Sequence, residues 1–124
     1  MSYPEEDIRA LEPIFHSSPV GSSREVFEAM TDESFFEVGA SGRVYTREFI
    51  IDEVSRRYAS NEVDGLLDVS EFRVTSIAEE IWLATYRLTQ GSRISRRSTI
   101  WSATPAGWVG LFHQGTLVDV DDVP

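Results

Sequence analysis

Apolar positions Ile8, Leu11 and Phe15 recur three and four residues apart, which predicts an amphipathic helix over residues 5–17. Pro13 removes one intrahelical hydrogen bond, so a kink or an early end is expected there. Pro19-Val20-Gly21 breaks the chain, and Ser22 followed by Glu25 reads as a capping box that opens a second helix running to Met30. Ser34-Phe35-Phe36-Glu37-Val38 predicts a strand, residues 39–42 a turn, and Arg43-Val44-Tyr45 a short return strand. Thr46 can cap a third helix whose apolar face is Phe49, Ile50, Val54 and Tyr58. A polar loop follows at 61–65. The pattern then turns to strand after strand, at 66–77, 81–90, 94–103 and 107–116, with short turn-like separators. Three helices in the first half followed by an antiparallel meander imply an α+β class, with the helices packed on one face of the sheet.

The chain has 124 residues, enough for one domain with a core of its own; we expect that domain over 1–118 and a frayed acidic tail over 119–124. There is no cysteine, which excludes disulfides, thiolate metal sites and cysteine nucleophiles. Net charge is −10 and all eleven cations are arginine. Without lysine there is no Schiff-base chemistry and no lysine-bearing phosphate loop. The acidic balance argues against nucleic acid and anionic membranes as partners. Neither a cationic leader nor a membrane-length apolar run is seen, so a cytoplasmic protein is expected. The two histidines, His16 and His113, are far apart and lack companion ligands, and no cofactor motif is present; neither a metal nor a cofactor is expected.

The order of elements, together with Phe36-Glu37-Val38-Gly39-Ala40-Ser41-Gly42-Arg43-Val44-Tyr45, Thr85-Tyr86-Arg87-Leu88 and the run from Trp101 through Trp108 to Phe112-His113-Gln114-Gly115-Thr116, resembles the nuclear transport factor 2-like superfamily. Within it, the small bacterial SnoaL-like members, classed as domain of unknown function 4440, are the nearer match. The resemblance covers nearly the whole chain. It implies a cone-shaped fold in which helices roof the concave face of a curved, mainly antiparallel sheet. It also implies dimerisation through the outer sheet face, as is common in the superfamily. In kinase association domains of this kind an arginine points into the cavity, and Arg87 in Tyr86-Arg87-Leu88-Thr89-Gln90 matches it. The superfamily hosts isomerases, cyclases, dehydratases, transport factors and association domains, so the fold leaves the activity open.

Alternation along strands sorts side chains into two faces. A three-residue turn at 91–93 sets Arg87 opposite Arg97, and collects Leu83, Thr85, Arg87, Arg97, Thr99, Trp101, Val109, Leu111 and His113 on one face. A two-residue turn would instead set Arg96 opposite Arg87. With the three-residue turn the other face holds Trp82, Tyr86, Ile100, Trp108 and Phe112, an aromatic patch suited to a two-fold interface. Arginines within a sheet need an anionic partner, from a ligand or from the protein, and Glu37 is the internal candidate. The expected pocket residues are Glu37, Tyr45, Arg87, Arg97, Thr99, Trp101 and His113. They suggest a small-molecule-binding domain for an organic anion. The alternatives are an isomerase, cyclase or dehydratase that transfers a proton through Glu37 or His113, with Tyr45 or Arg87 stabilising an enolate, and a pure dimerisation or interaction domain. The Asp-Pro pattern usual in the superfamily's isomerases and cyclases is absent at Glu37-Val38-Gly39.

Overall fold

The computed structural model describes residues 4–15, 24–60 and 67–119. Helix α1 (Glu5–Leu11) passes directly into a 3₁₀ turn (Glu12–Phe15). The early end agrees with Pro13, whose missing N–H cannot continue the α-helical ladder. Helix α2 (Arg24–Ala29) leads into β1 (Thr31–Val38), which begins three residues ahead of the expected strand. The predicted capping residue Ser22, the 61–65 loop, His16 and the tail beyond Asp119 lie outside the described residues. After β2 (Val44–Thr46), the Thr46 hydroxyl accepts the Phe49 N–H at 3.2 Å and so caps α3 (Arg47–Ser60) as expected. Ile50 and Ile51 are buried on α3, whereas Phe49 is 43% exposed and lies along the Tyr45 ring at 5.0 Å.

Strands β3 (Leu67–Ala78), β4 (Ile81–Gln90), β5 (Arg93–Thr104) and β6 (Gly107–Leu117) form the meander. Among the described residues, the three α-helices accompany one six-stranded sheet of order β2-β1-β6-β5-β4-β3. Every pairing is antiparallel except that of β1 with β6. Among the described residues the sheet has four register irregularities, two of which bear on its faces. In β3, Glu71 and Phe72 stand against the single residue Tyr86, with Glu71 at φ 54°. In β6, Leu111 is the extra residue between the Ile100–Phe112 and Trp101–Gly110 pairs. Bulges increase local twist and bend a strand.

The register corrects the expected faces. Gln90 pairs with Arg93, so the hairpin turns over two residues, with Gly91 at φ 63° in the first position. Glycine takes that conformation without the steric cost of a Cβ. The turn moves β4 by one residue. Tyr86 now faces Arg97, and Arg87 faces Arg96. Leu83, Thr85 and Arg87 therefore leave the concave face, while Ala84, Tyr86 and Leu88 are buried there. Trp82 and Trp108, expected on the outer face, pack instead against the core.

That core fills the space between helices and sheet with Ile8, Phe15, Phe27, Phe35, Ile50, Ile51, Val74, Ala84 and Trp101. Phe15 is its hub, stacked on Phe35 at 5.8 Å, edge-on to Phe27 at 6.2 Å and tilted against Trp101 at 5.7 Å. Each fully buried phenylalanine contributes about 2–3 kcal/mol, so the 3₁₀ turn carrying Phe15 is held firmly against the sheet.

Candidate functional site

Directly paired residues project from the same side of a sheet. Tyr45 pairs with Glu37, Glu37 with His113, His113 with Thr99, and Thr99 with Ala84. They make one transverse row across the concave face. Arg97 pairs with Gly115 and Tyr86 in the row beside it, and Trp101 lies two residues along β5 from Thr99. Six of the seven expected residues are thus brought to one side: Glu37, Tyr45, Arg97, Thr99, Trp101 and His113. Arg87 is not. It sits on the convex face beside Arg96, which forms an exposed 3.5 Å ion pair with Glu71.

At the centre is a residue the sequence reading did not select. Glu12, in the 3₁₀ turn, is only 2% exposed. Its Oε1 accepts the Tyr86 hydroxyl at 2.7 Å and the Thr99 hydroxyl at 2.8 Å, and its Oε2 accepts the Trp101 indole N–H at 2.6 Å. Three donors from two strands converge on one carboxyl. The signal for it was present: Glu12 falls four residues after Ile8 and three before Phe15, inside the apolar stripe of the first helix. A glutamate there is rarely tolerated without partners. Tyr86 was missed because the hairpin turns over two residues and not three, the same difference that carries Arg87 to the other face.

His113 is fully buried and stacks on Phe15, with centroids 4.3 Å apart and planes 16° from parallel. Its Nδ1 lies 2.7 Å from Thr99 Oγ1 and 4.0 Å from Glu12 Oε1, and its Nε2 lies 3.4 Å from an Arg97 guanidinium nitrogen. Arg97 also donates from Nε to Ser95 Oγ at 3.0 Å. Its head lies flat over Gly115, where an added Cβ would come within 3.0 Å of the guanidinium carbon.

Burial dominates the electrostatics. It raises the Glu12 carboxyl from 4.5 to about 7, although the hydrogen bonds from Trp101, Tyr86 and Thr99 and the Arg97 charge all pull the other way. Burial, reinforced by the Glu12 charge, also raises the Tyr86 phenol well above its ordinary range. Arg97 is lowered by burial, against the opposing influence of Tyr86 and Glu37. Glu37 therefore acts on Arg97 through its charge. No group of three or more histidine, aspartate or glutamate residues suited to a metal occurs among the described residues. No helix among them is long and apolar enough to cross a membrane.

Solved structures share this architecture. A nuclear transport factor 2-like protein from Rhodospirillum rubrum superposes with TM-score 0.71 at 17% identity, covering 95% of this chain and 100% of its own. A candidate calcium/calmodulin-dependent kinase II association domain from Exiguobacterium sibiricum gives 0.71 at 16% identity, with 96% of each chain covered. A candidate ketosteroid isomerase from Parabacteroides distasonis gives 0.69 at 14% identity, covering 98% of this chain and 92% of its own. The chain thus has the nuclear transport factor 2-like α+β fold. No protein-family model and no curated protein matches it. The finer SnoaL-like placement rests on the sequence resemblance.

Proposed function

We propose that this protein binds a small organic anion on the concave face, with Arg97 as the anchoring group, and that it does so in the cytosol as a homodimer. The observation that carries the anion reading is the state of Arg97. Its guanidinium is drawn out of water, and its hydrogen bonds go to Ser95 and His113, neither of which is an acid. A partly desolvated guanidinium is stabilised by a carboxylate or phosphate that matches its planar fork. The half-buried Tyr45 borders the site, and the fully buried Trp101, Thr99 and His113 back Arg97 from within the core, an apolar surround with few polar groups of the kind an organic-acid site has. The kinase association domain and ketosteroid isomerase among the structural neighbours are compatible with a cone that accommodates a ligand or an assembly partner.

The dimer reading rests on a revised surface. Leu83, Ile100, Phe112 and Phe36 are cross-strand partners in sequence along one line of the convex face. Phe36 is 44% exposed and its ring lies 4.9 Å from that of Phe112. An apolar band across four strands is the kind of surface a second copy covers.

A thermal-shift comparison of benzoate, benzamide and benzylamine on wild type and Arg97→Lys tests the anion site. Benzoate is expected to raise the melting temperature most, and Arg97→Lys to bind it about tenfold more weakly, because an ammonium cannot reproduce the fork. Equal stabilisation by benzylamine, or an unchanged response of Arg97→Lys to benzoate, overturns the reading.

A further inference from the structure

We propose that anion binding at Arg97 is coupled to proton uptake by the buried Glu12 carboxyl, through a hydrogen-bond chain that runs by way of His113 and Thr99 and reverses direction when the ligand binds. The proposal rests on the anion-site reading above. Its basis is a count of protons. Thr99 has one hydroxyl proton and lies between two groups, Glu12 Oε1 at 2.8 Å and His113 Nδ1 at 2.7 Å. An ionised carboxylate only accepts, so the Thr99 proton goes to Glu12. His113 Nδ1 must then carry a proton and donate it to Thr99. A neutral imidazole in that tautomer has a bare Nε2, which accepts from the Arg97 guanidinium at 3.4 Å. With Glu12 ionised, every donor points the same way, from Arg97 inward to Glu12.

Protonated Glu12 permits the opposite order. Its carboxylic O–H donates to Thr99, Thr99 donates to His113 Nδ1, and the imidazole carries its proton on Nε2. No bond to carbon changes, and one proton is added to the network. Without a ligand, this order sets the His113 Nε2–H against an Arg97 N–H, donor facing donor. A carboxylate that moves the Arg97 head off the buried ring and seats between them removes the conflict, because it accepts from both the guanidinium and Nε2. Occupancy by an anion therefore favours the protonated, outward-pointing chain. By linkage, proton uptake then favours the anion equally.

The surrounding charges act in the same direction or are constant. Glu12 faces Tyr86 from β4, Arg97, Thr99 and Trp101 from β5, and His113 from β6. Tyr86 and Trp101 donate to it in either state. The Arg97 charge favours the ionised carboxyl, so an anion that neutralises Arg97 withdraws that support. Arg97 is also influenced by Glu37 from β1 and Arg93 on its own strand, which carry opposite charges. Because burial lifts Glu12 to about 7, both orders of the chain are accessible near neutral pH.

Calorimetric titration of wild type with benzoate tests the coupling. At pH 7, runs in two buffers of unlike ionisation enthalpy are expected to show uptake of a little under half a proton, about half being held already by the free protein. Affinity should fall about five- to tenfold between pH 6 and pH 8.5, as one linked proton allows. Glu12→Gln should abolish the uptake and flatten the pH dependence. Should that variant fail to fold, imidazole ¹⁵N shifts of wild type give an independent reading, with His113 passing from the Nδ1–H to the Nε2–H tautomer as benzoate is added. Benzoate binding with no proton uptake, or with an unchanged His113 tautomer, overturns the coupling and leaves the anion site standing. Absence of benzoate binding refutes the anion site, and the coupling with it.

Discussion

Replacing Glu12 with glutamine isolates the energetic effect of burying this carboxyl. Burial raises it from 4.5 to about 7, so ionising it costs about 3 kcal/mol more in the folded protein than in the unfolded chain. Between these two values the folded state holds a proton that the unfolded state has released. The contribution to stability is therefore fully present below 4.5 and is lost as pH rises through about 7. About 2 kcal/mol of the loss falls between pH 5.5 and pH 8.5, above the region of lowest net charge. Glutamine keeps the shape of the neutral acid and cannot ionise. Its carbonyl can accept from Trp101 while its amide donates to the Tyr86 and Thr99 oxygens, at the cost of turning both hydroxyls. We expect Glu12→Gln to be destabilised by about 1–2 kcal/mol at pH 5.5. It should draw level with wild type, or pass it, by pH 8.5. Urea unfolding followed by tryptophan fluorescence, run on both proteins across this range, measures the difference, in which other titrating groups cancel. Parallel profiles for the two proteins would show that Glu12 does not titrate as its burial requires.

Two further outcomes follow from the geometry. Gly115→Ala places a methyl within 3.0 Å of the Arg97 guanidinium; because the obstructed group is the end of a flexible side chain, we expect under about 1 kcal/mol lost in stability but a clear loss of benzoate response in the thermal-shift assay. Unaltered binding would show that the Arg97 head does not anchor the anion where it lies over Gly115. On the convex face, Phe36→Glu adds a charge to the apolar row and should convert the proposed dimer to monomer in sedimentation velocity, while a wild type that already sediments as a monomer at tens of micromolar removes the proposed interface.

Much of the fold was legible because it depends on local chemistry. Alternating apolar residues and the turns between them placed β4 at its observed limits, and β3, β5 and β6 within a residue or so. Pro13 ended α1 because a missing N–H acts where it stands, and Thr46 capped α3 through a contact three residues away. Arg97, Thr99, Trp101 and His113 fall on one side as expected because alternation along β5 and into the end of β6 was read in the right phase, and Glu37 and Tyr45 join them through the pairing of β1 and β2. What the tertiary structure alone decided was how these strands meet. The hairpin at Gly91 differs by one residue between two plausible turns, and with a side-chain period of two that single residue exchanges Tyr86 for Arg87 on the concave face. The bulge at Leu111 likewise turned Trp108 inward. Glu12 depended on tertiary structure most of all: its polar partners, Tyr86, Thr99 and Trp101, lie 74, 87 and 89 residues away. A carboxyl's proton affinity is set by whatever surrounds it in space, and here those surroundings exist only once the first helix closes over the sheet.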